Sequence, residues 1–333
     1  MNTSITRSGV AAALLLAASM AVVPAAAATA APAATSPAKT VNYVALGDSY
    51  AAGQGLTTLT GQPAAGCNQT AEDYPHQVAA KLGYSLTDVT CAGAVTENID
   101  KTSQSVTSAT GPAQSVPQQA SALNDSTNVV TVTIGGNDAG FSPVVQSCVA
   151  LGAQGPVVGK NGGLKANTCH EDYIKKGVDT LVKNIKDKVA RHLEATYKAI
   201  KRAAPNAKIY VVGYPSLFPD AANTPAAGCY TALGSSGNDV PFTATDIAYL
   251  HSVEVQLNQT AAEQAAAVGL TYVDNVPATA ANSMCPQGAS AFVNGAELDP
   301  NTGAIGSGSL HPNLAGATFL ASQTIDAIDA TRR

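Results

Sequence analysis

The sequence contains no tryptophan, and aromatic residues make up only 5% of its 333 residues. Because sugar-binding platforms usually stack aromatic rings on the ligand, this scarcity disfavours a carbohydrate-binding surface. Charged residues are also scarce, at 12%, and the formal net charge is -5. Lysine and arginine are densest between residues 175 and 202, where they alternate with acidic residues. Phosphate binding needs concentrated positive charge, so we expect no nucleic-acid partner.

Long hydrophobic runs are absent beyond the N-terminus. Arg7 precedes an apolar stretch, residues 10–23, that is too short for a comfortable membrane span. Small residues with several A-x-A cleavage options follow at 25–31. This pattern predicts a signal peptide over residues 1–31, with an N-terminal membrane anchor as the alternative. Residues 32–40 are expected to form a disordered leader, followed by one domain over 41–333.

No pair of cysteines has C-x-x-C spacing, which argues against a zinc knuckle and against a thioredoxin-type redox site. No group of His, Asp and Glu shows metal-ligand spacing either, so we expect no metal and no cofactor. An even number of cysteines in an exported chain predicts three disulfides, and spacing alone does not select their pairing. The six are Cys67, Cys91, Cys148, Cys169, Cys229 and Cys285.

Apolar runs alternate with helical patterns along the chain. The strand-like runs show little polar alternation, which is typical of a parallel sheet buried on both faces. They lie at 41–46, 86–91, 129–134, 208–212 and 270–273, and helices are predicted at 72–82, 173–204, 246–268 and 313–330. This alternation predicts an α/β sandwich, interrupted by long loops at 139–170 and 216–245.

Polar groups follow three of the predicted strands, where ligands bind in parallel sheets. A serine hydroxyl needs an adjacent base to act as a nucleophile, and His311 can serve Ser49 in that role. The backbone N–H groups of Ser49 and Gly93 and the Asn137 side chain are candidate oxyanion donors. The blocks are Gly47-Asp48-Ser49-Tyr50, Cys91-Ala92-Gly93, Gly135-Gly136-Asn137-Asp138 and, before the last helix, His311-Pro312-Asn313.

Each block has an ordinary structural explanation. A serine after a strand is most often a helix N-cap, Gly-Gly-Asn often forms a turn, and His311 could simply begin the last helix. Asp48 and Asp138 are expected to accept nearby backbone N–H groups rather than to react. The order of the four blocks along one chain nevertheless favours an acyl-transfer site.

In these four blocks the chain, over about residues 41–325, resembles the SGNH (GDSL) hydrolase family. The resemblance implies a three-layer α/β/α, flavodoxin-like fold with a five-stranded parallel sheet. It implies Ser49 as nucleophile, His311 as base, and Ser49, Gly93 and Asn137 as the oxyanion hole. The export signal, cysteines and long loops resemble those of secreted actinobacterial lipases, esterases and phospholipases. In that branch cysteines pair sequentially, which implies Cys67–Cys91, Cys148–Cys169 and Cys229–Cys285.

One position departs from the family. Most members carry an acidic residue three positions before the histidine, where this chain has Gly308. Some secreted relatives orient the imidazole with a main-chain carbonyl two residues before it, here that of Ser309. We therefore predict a Ser49–His311 dyad with the Ser309 carbonyl as orienter. Asp299 or Asp274 from another loop is the alternative.

The predicted protein is an extracellular carboxylic ester hydrolase: a lipase or esterase, or a phospholipase A1. We expect a monomer that acts on a small-molecule or lipid ester and contacts a lipid surface transiently. The apolar segment 141–158 follows the Asn137 block and is expected to line an acyl pocket. A carbohydrate acetylesterase is the alternative enzyme, and an exported binding protein with a degenerate site is the non-enzymatic alternative.

Overall fold

The computed structural model describes residues 40–108, 111–285, 290–299 and 303–332. The predicted signal peptide, and the leader up to residue 39, lie outside the described residues. Five parallel strands form one sheet in the spatial order β2-β1-β3-β4-β5. They are β1 Asn42–Gly47, β2 Ser85–Asp88, β3 Val129–Thr133, β4 Lys208–Val212 and β5 Thr271–Val273. The predicted α/β fold with a five-stranded parallel sheet is confirmed.

Helices cover both faces of this sheet. They are α1 Ser49–Ala52, α2 Tyr74–Leu82, α3 Thr96–Asp100, α4 Phe141–Ser147, α5 Thr180–Asn184, α6 Ala190–Ala203, α7 Ala244–Val268, α8 Val276–Thr279 and α9 Leu314–Ala330. Alternate residues of β1 enter two different apolar clusters, as the two-residue period of a strand requires. Tyr43 and Ala45 pack with residues of α2 and α9, whereas Val44 and Leu46 pack with residues of α6 and α7. The result is the three-layer α/β/α sandwich.

The predicted helix at 173–204 begins later than its periodicity indicates. Ile174–Lys175 and Val178–Asp179 instead form a small antiparallel pair, with Gly177 at a φ of 77° between them. The Asp179 carboxylate then accepts the N–H groups of the first turn and starts α5. The apolar spacing continues through the hairpin, so only this glycine and this cap mark the true boundary.

The two predicted long loops are tied by covalent bonds. Within the first, the short helix α4 leads into Cys148, which is bonded to Cys169. The structure contains the three sequential disulfides that the family resemblance implied, namely Cys67–Cys91, Cys148–Cys169 and Cys229–Cys285. Of the helices in the described ranges, none has the length and apolarity needed to cross a bilayer.

The ends of β1 and β3 approach each other more closely than side chains allow. Gly47 has a φ of 147°, and a Cβ there would lie 2.6 Å from the Thr133 carbonyl oxygen. The Gln119 side chain secures this segment, because its carbonyl accepts the Gly47 N–H at 2.7 Å and its amide donates to the Gly47 carbonyl at 2.9 Å. Only glycine fits this position, which sets the direction of the following residues.

Candidate active site

Ser49 is the first residue of α1, and one residue, Asp48, separates it from the end of β1. The Asp48 carboxylate caps this short helix and accepts the Tyr50 N–H at 3.0 Å. The hydroxyl of Ser49 lines a cavity at the carboxyl edge of the sheet. The serine therefore occupies a position typical of an N-cap region and yet faces a ligand-sized space.

His311 comes from the loop before α9, more than 260 residues away along the chain. Its Nε2 lies 2.9 Å from the Ser49 Oγ, and its Nδ1 lies 2.9 Å from the Ser309 carbonyl oxygen. With the proton on Nδ1, the imidazole donates to Ser309 and accepts from the serine hydroxyl. That tautomer leaves Nε2 as the base.

Backbone contacts fix the loop that carries His311. Leu310 has a φ of 63°, an unusual value for a branched residue, and the Tyr50 hydroxyl donates to its carbonyl at 2.6 Å. Gly308 packs on the backbone of Gly55, and a Cβ at Gly308 would lie 3.1 Å from the Gly55 Cα. The position where most relatives carry an acid is thus occupied by a tight backbone contact.

The three candidate oxyanion donors line the same cavity as Ser49 and His311. Gly93 follows the Cys67–Cys91 disulfide with a φ of 77°, and the Asn137 side-chain amide donates to the Ala94 carbonyl at 2.9 Å. Within the described part of the chain, the backbone N–H groups of Ser49 and Gly93 have no protein acceptor. These two amides are available to a developing negative charge.

Tyr214 joins two of the sequence blocks and was not predicted. Its hydroxyl donates to the Asp48 carboxylate at 2.5 Å and accepts the Gly136 N–H at 2.9 Å. The segment Gly213-Tyr214-Pro215 directly follows β4, so the rule that ligands bind beyond the carboxyl ends of strands could have singled it out. Asp138, by contrast, accepts the N–H and hydroxyl of Thr96 at the start of α3, which is a structural contact.

Neither alternative orienter contacts the imidazole through a described hydrogen bond. The Asp274 carboxylate accepts the Val276 N–H at 3.3 Å and so begins α8. The Asp299 backbone belongs to a turn that closes on residues 303 and 304. The Nδ1 partner of His311 in the structure is the Ser309 carbonyl.

Burial perturbs two titratable groups of the site. Removal from water lowers the pKa of His311 from 6.5 to about 4, against the opposing effect of the Ser309 hydrogen bond. Burial raises the pKa of Asp48 to about 7, although the hydrogen bonds from Tyr214 and Tyr50 favour its ionised form. His311 is therefore neutral at pH 7 and able to accept a proton.

The cavity beside Ser49 has a volume of about 330 Å³. Its lining includes the apolar side chains of Phe141, Val145, Val149, Leu217 and Phe242. Three of these lie in segment 141–158, the predicted acyl-pocket segment. Polar residues, among them Glu254 and Asn258, line the cavity as well, and a mainly apolar lining with fewer polar groups is usual for pockets that bind small ligands.

Comparison with known proteins identifies the class. A family model described as GDSL-like Lipase/Acylhydrolase matches residues 45–319. Lipase 2 of Streptomyces coelicolor is 32% identical over 309 residues, covering 89% of this chain and 88% of the relative. An esterase of Streptomyces scabiei is 29% identical, and the match covers 98% of this chain and 96% of the esterase. The crystal structure of phospholipase A1 from Streptomyces albidoflavus has a TM-score of 0.60 at 25% identity, covering 87% of this chain and 99% of that one.

The chain belongs to the GDSL-like lipase/acylhydrolase family, because the family model spans most of its length. It is a carboxylic ester hydrolase, as the lipase and esterase relatives indicate. The predicted resemblance to the actinobacterial branch is likewise confirmed. These findings disfavour the exported binding protein, the non-enzymatic alternative drawn from the sequence.

Tyr214→Phe removes the hydroxyl that connects Asp48 to Gly136. We expect kcat to fall about 10- to 100-fold with a smaller change in KM, because the nucleophile and oxyanion segments lose their shared positioning contact. Tyr197→Phe is the matched control, since the buried Tyr197 hydroxyl has no hydrogen-bond partner among the described residues. Steady-state kinetics on a p-nitrophenyl ester measure both, and a Tyr214→Phe enzyme with wild-type kcat would contradict the positioning role.

The pH profile should reflect the buried imidazole. A general base works only when neutral, so activity falls as pH drops through the pKa of His311. Because burial lowers that pKa to about 4, the acid limb of kcat/KM should lie well below 6.5. The measurement is kcat/KM between pH 4 and 8 on an uncharged ester, followed in a pH-stat.

Asp48 could add a second ionisation near pH 7. The Asp48→Asn variant separates the two groups, because any limb contributed by Asp48 disappears in it. An acid limb at or above pH 6.5 that persists in Asp48→Asn would show that His311 does not have a lowered pKa.

Proposed function

We propose that the enzyme hydrolyses lipid esters through an acyl-enzyme on Ser49, with His311 as general base and acid. The observation that carries this proposal is the 2.9 Å contact between Ser49 Oγ and His311 Nε2 inside a largely apolar cavity. The Ser309 carbonyl is the orienter, which makes the relay a dyad.

In the first half-reaction, Ser49 Oγ attacks the ester carbonyl carbon while its proton passes to His311 Nε2. The N–H groups of Ser49 and Gly93 and the Asn137 amide stabilise the resulting oxyanion. The tetrahedral intermediate then collapses, the bond to the leaving alcohol breaks, and His311 protonates the departing oxygen. An acyl-Ser49 ester remains.

In the second half-reaction, water attacks the acyl carbon and gives a proton to His311. Collapse of this intermediate returns the proton to Ser49 Oγ and releases the carboxylic acid. Throughout, the Nδ1–H of His311 stays hydrogen-bonded to the Ser309 carbonyl. A neutral carbonyl stabilises imidazolium less than a carboxylate does, so we expect less activation than in a Ser-His-Asp triad.

Two features favour lipid esters over other esters. The cavity that Ser49 lines is mainly apolar, which suits an acyl chain. Similar proteins are named as a lipase and as a phospholipase A1. We propose a triglyceride or phospholipid as the substrate class, bound by its acyl chain in the pocket.

We also propose that the enzyme is exported. Arg7, the apolar stretch at 10–23 and the small residues at 25–31 match a secretory signal. Three disulfides fit an oxidising compartment. Together they support an extracellular enzyme that meets its lipid substrate outside the cell.

Ser49→Ala tests the nucleophile and the substrate class together. We expect its turnover to fall by at least about 10³-fold on every ester, because the acyl-enzyme cannot form. Wild type and variant are compared on short- and long-chain p-nitrophenyl esters, phosphatidylcholine and acetylated xylan. Wild-type rates in Ser49→Ala would refute the nucleophile, whereas a strong wild-type preference for acetylated xylan would favour an acetylesterase.

Two further variants test the orienter. Ser309→Ala keeps the carbonyl and should retain most of kcat, although it loses the 2.9 Å bond between its hydroxyl and the Glu297 N–H. Asp299→Asn should also retain activity, because the Nδ1 partner is a backbone oxygen. A collapse of turnover in Asp299→Asn, with an unchanged circular-dichroism spectrum and Tm, would assign the orienting role to that carboxylate instead.

A further inference from the structure

A second cluster of titratable side chains lies at the start of α2 and the end of β2. It consists of Asp73, His76 and Asp88, which offer one ligand atom each within 4.8 Å of one another. The His76 Nδ1 is 2.8 Å from Asp73 Oδ1 and 3.5 Å from Asp88 Oδ2. None of the three lines the cavity beside Ser49. The ester hydrolase mechanism does not use them.

The two carboxylates of this cluster are buried and incompletely satisfied. The Asp73 side chain is 0% exposed and that of Asp88 is 4% exposed. One oxygen of each is occupied, since Asp73 Oδ1 caps α2 and Asp88 Oδ1 accepts from Thr90. The other oxygen of each, Oδ2, is buried without a hydrogen-bond partner among the described residues.

Two buried carboxylates this close repel each other unless a cation or a shared proton lies between them. Burial and mutual repulsion raise the pKa of Asp88, and burial raises that of Asp73. His76 supplies one neighbouring group that can be positive, and its side chain is 32% exposed. The cluster thus combines two buried carboxylate oxygens that lack a hydrogen-bond partner among the described residues with an opening to solvent.

We propose that Asp73, His76 and Asp88 bind one divalent transition-metal ion of the zinc type. An imidazole with two carboxylates is a donor set that Zn²⁺ accepts. With bonds of about 2.0–2.2 Å, tetrahedral ligands stand roughly 3.3 Å apart, and the separation of 3.5 Å between His76 Nδ1 and Asp88 Oδ2 is close to that value. Water from the exposed side of His76 completes the coordination.

Binding exchanges protons for the ion. His76 loses its Nδ1 proton to solvent, and any proton shared by the two carboxylates leaves as well. The Nδ1 lone pair and the two unpartnered Oδ2 atoms then become ligands. The contact between His76 Nδ1 and Asp73 Oδ1 is replaced, while the capping bond from the His76 N–H to Asp73 remains.

The position of the cluster indicates a structural role for the ion. It would cross-link the N-terminus of α2 to β2, which is an edge strand of the sheet. Asp73 also packs behind Gly53, the residue that ends the short helix carrying Ser49. We expect the ion to raise stability rather than to take part in ester hydrolysis.

The test uses the untagged, disulfide-bonded protein after dialysis against EDTA. Isothermal titration with ZnCl₂ should give one site per chain, and saturating Zn²⁺ should raise Tm by roughly 5 °C. His76→Gln should weaken Zn²⁺ binding by at least about 100-fold, beyond the 10- to 100-fold typical of outer-shell partners. His170→Gln is the control, because His170 is similarly exposed but faces the single carboxylate of Asp179.

The Asp88→Asn variant controls for the possibility that loss of Zn²⁺ binding reflects misfolding. Its oxygen can still accept from Thr90, while its amide can donate to the unpartnered Asp73 oxygen. We expect a metal-free Tm at least equal to that of wild type, no response to Zn²⁺, and unchanged esterase activity.

Three outcomes would overturn the site. One is the absence of Zn²⁺ binding by wild type, and another is binding that persists unchanged in both His76→Gln and Asp88→Asn. The third is equal stabilisation by CaCl₂ or MgCl₂, which would show that the imidazole is not a ligand.

Discussion

The close approach of β1 and β3 at Gly47 is the constraint on which the site depends. Because no Cβ fits against the Thr133 carbonyl, the backbone of β1 can turn there and present Ser49 at the edge of the sheet. Gln119 holds both polar groups of Gly47, and Tyr214 ties the next residue, Asp48, to the end of β3. The proposed nucleophile and the proposed oxyanion segment therefore form one hydrogen-bonded unit before any substrate binds.

The proposed base, His311, reaches this unit from the other end of the chain, and backbone contacts rather than charged groups hold its loop. Tyr50, the residue after the nucleophile, donates to the Leu310 carbonyl, while Gly308 packs on Gly55. These contacts present the Ser309 carbonyl to His311 Nδ1. An acidic side chain at position 308 would contact the Gly55 backbone. The tight packing of this loop therefore explains why the usual acid is replaced by glycine.

Electrostatics differ between the two buried acidic regions. Beside the active site, Asp48 has hydrogen bonds to both of its oxygens, so its buried charge has partners. At the start of α2 and the end of β2, Asp73 and Asp88 each keep a buried oxygen without such a partner among the described residues. Unpartnered buried oxygens facing a histidine are costly unless an ion or proton joins them, which is why the second region carries the metal-site inference.

The sequence alone determined the fold class and the order of the catalytic blocks, because buried parallel strands and their polar ends leave local patterns. The resemblance to the family also pointed to Ser309, since Gly308 stands where most members carry an acid. The remaining features depend on the tertiary structure. Tyr214 and Gln119 form hydrogen bonds between strands that lie far apart in the chain. The helix predicted from residue 173 begins at Thr180, directly after its cap. Asp73, His76 and Asp88 also meet only in three dimensions, because β2 brings Asp88 back beside the helix that the other two begin. Spacing along a chain records local geometry, whereas contacts between elements depend on how the whole sheet is assembled.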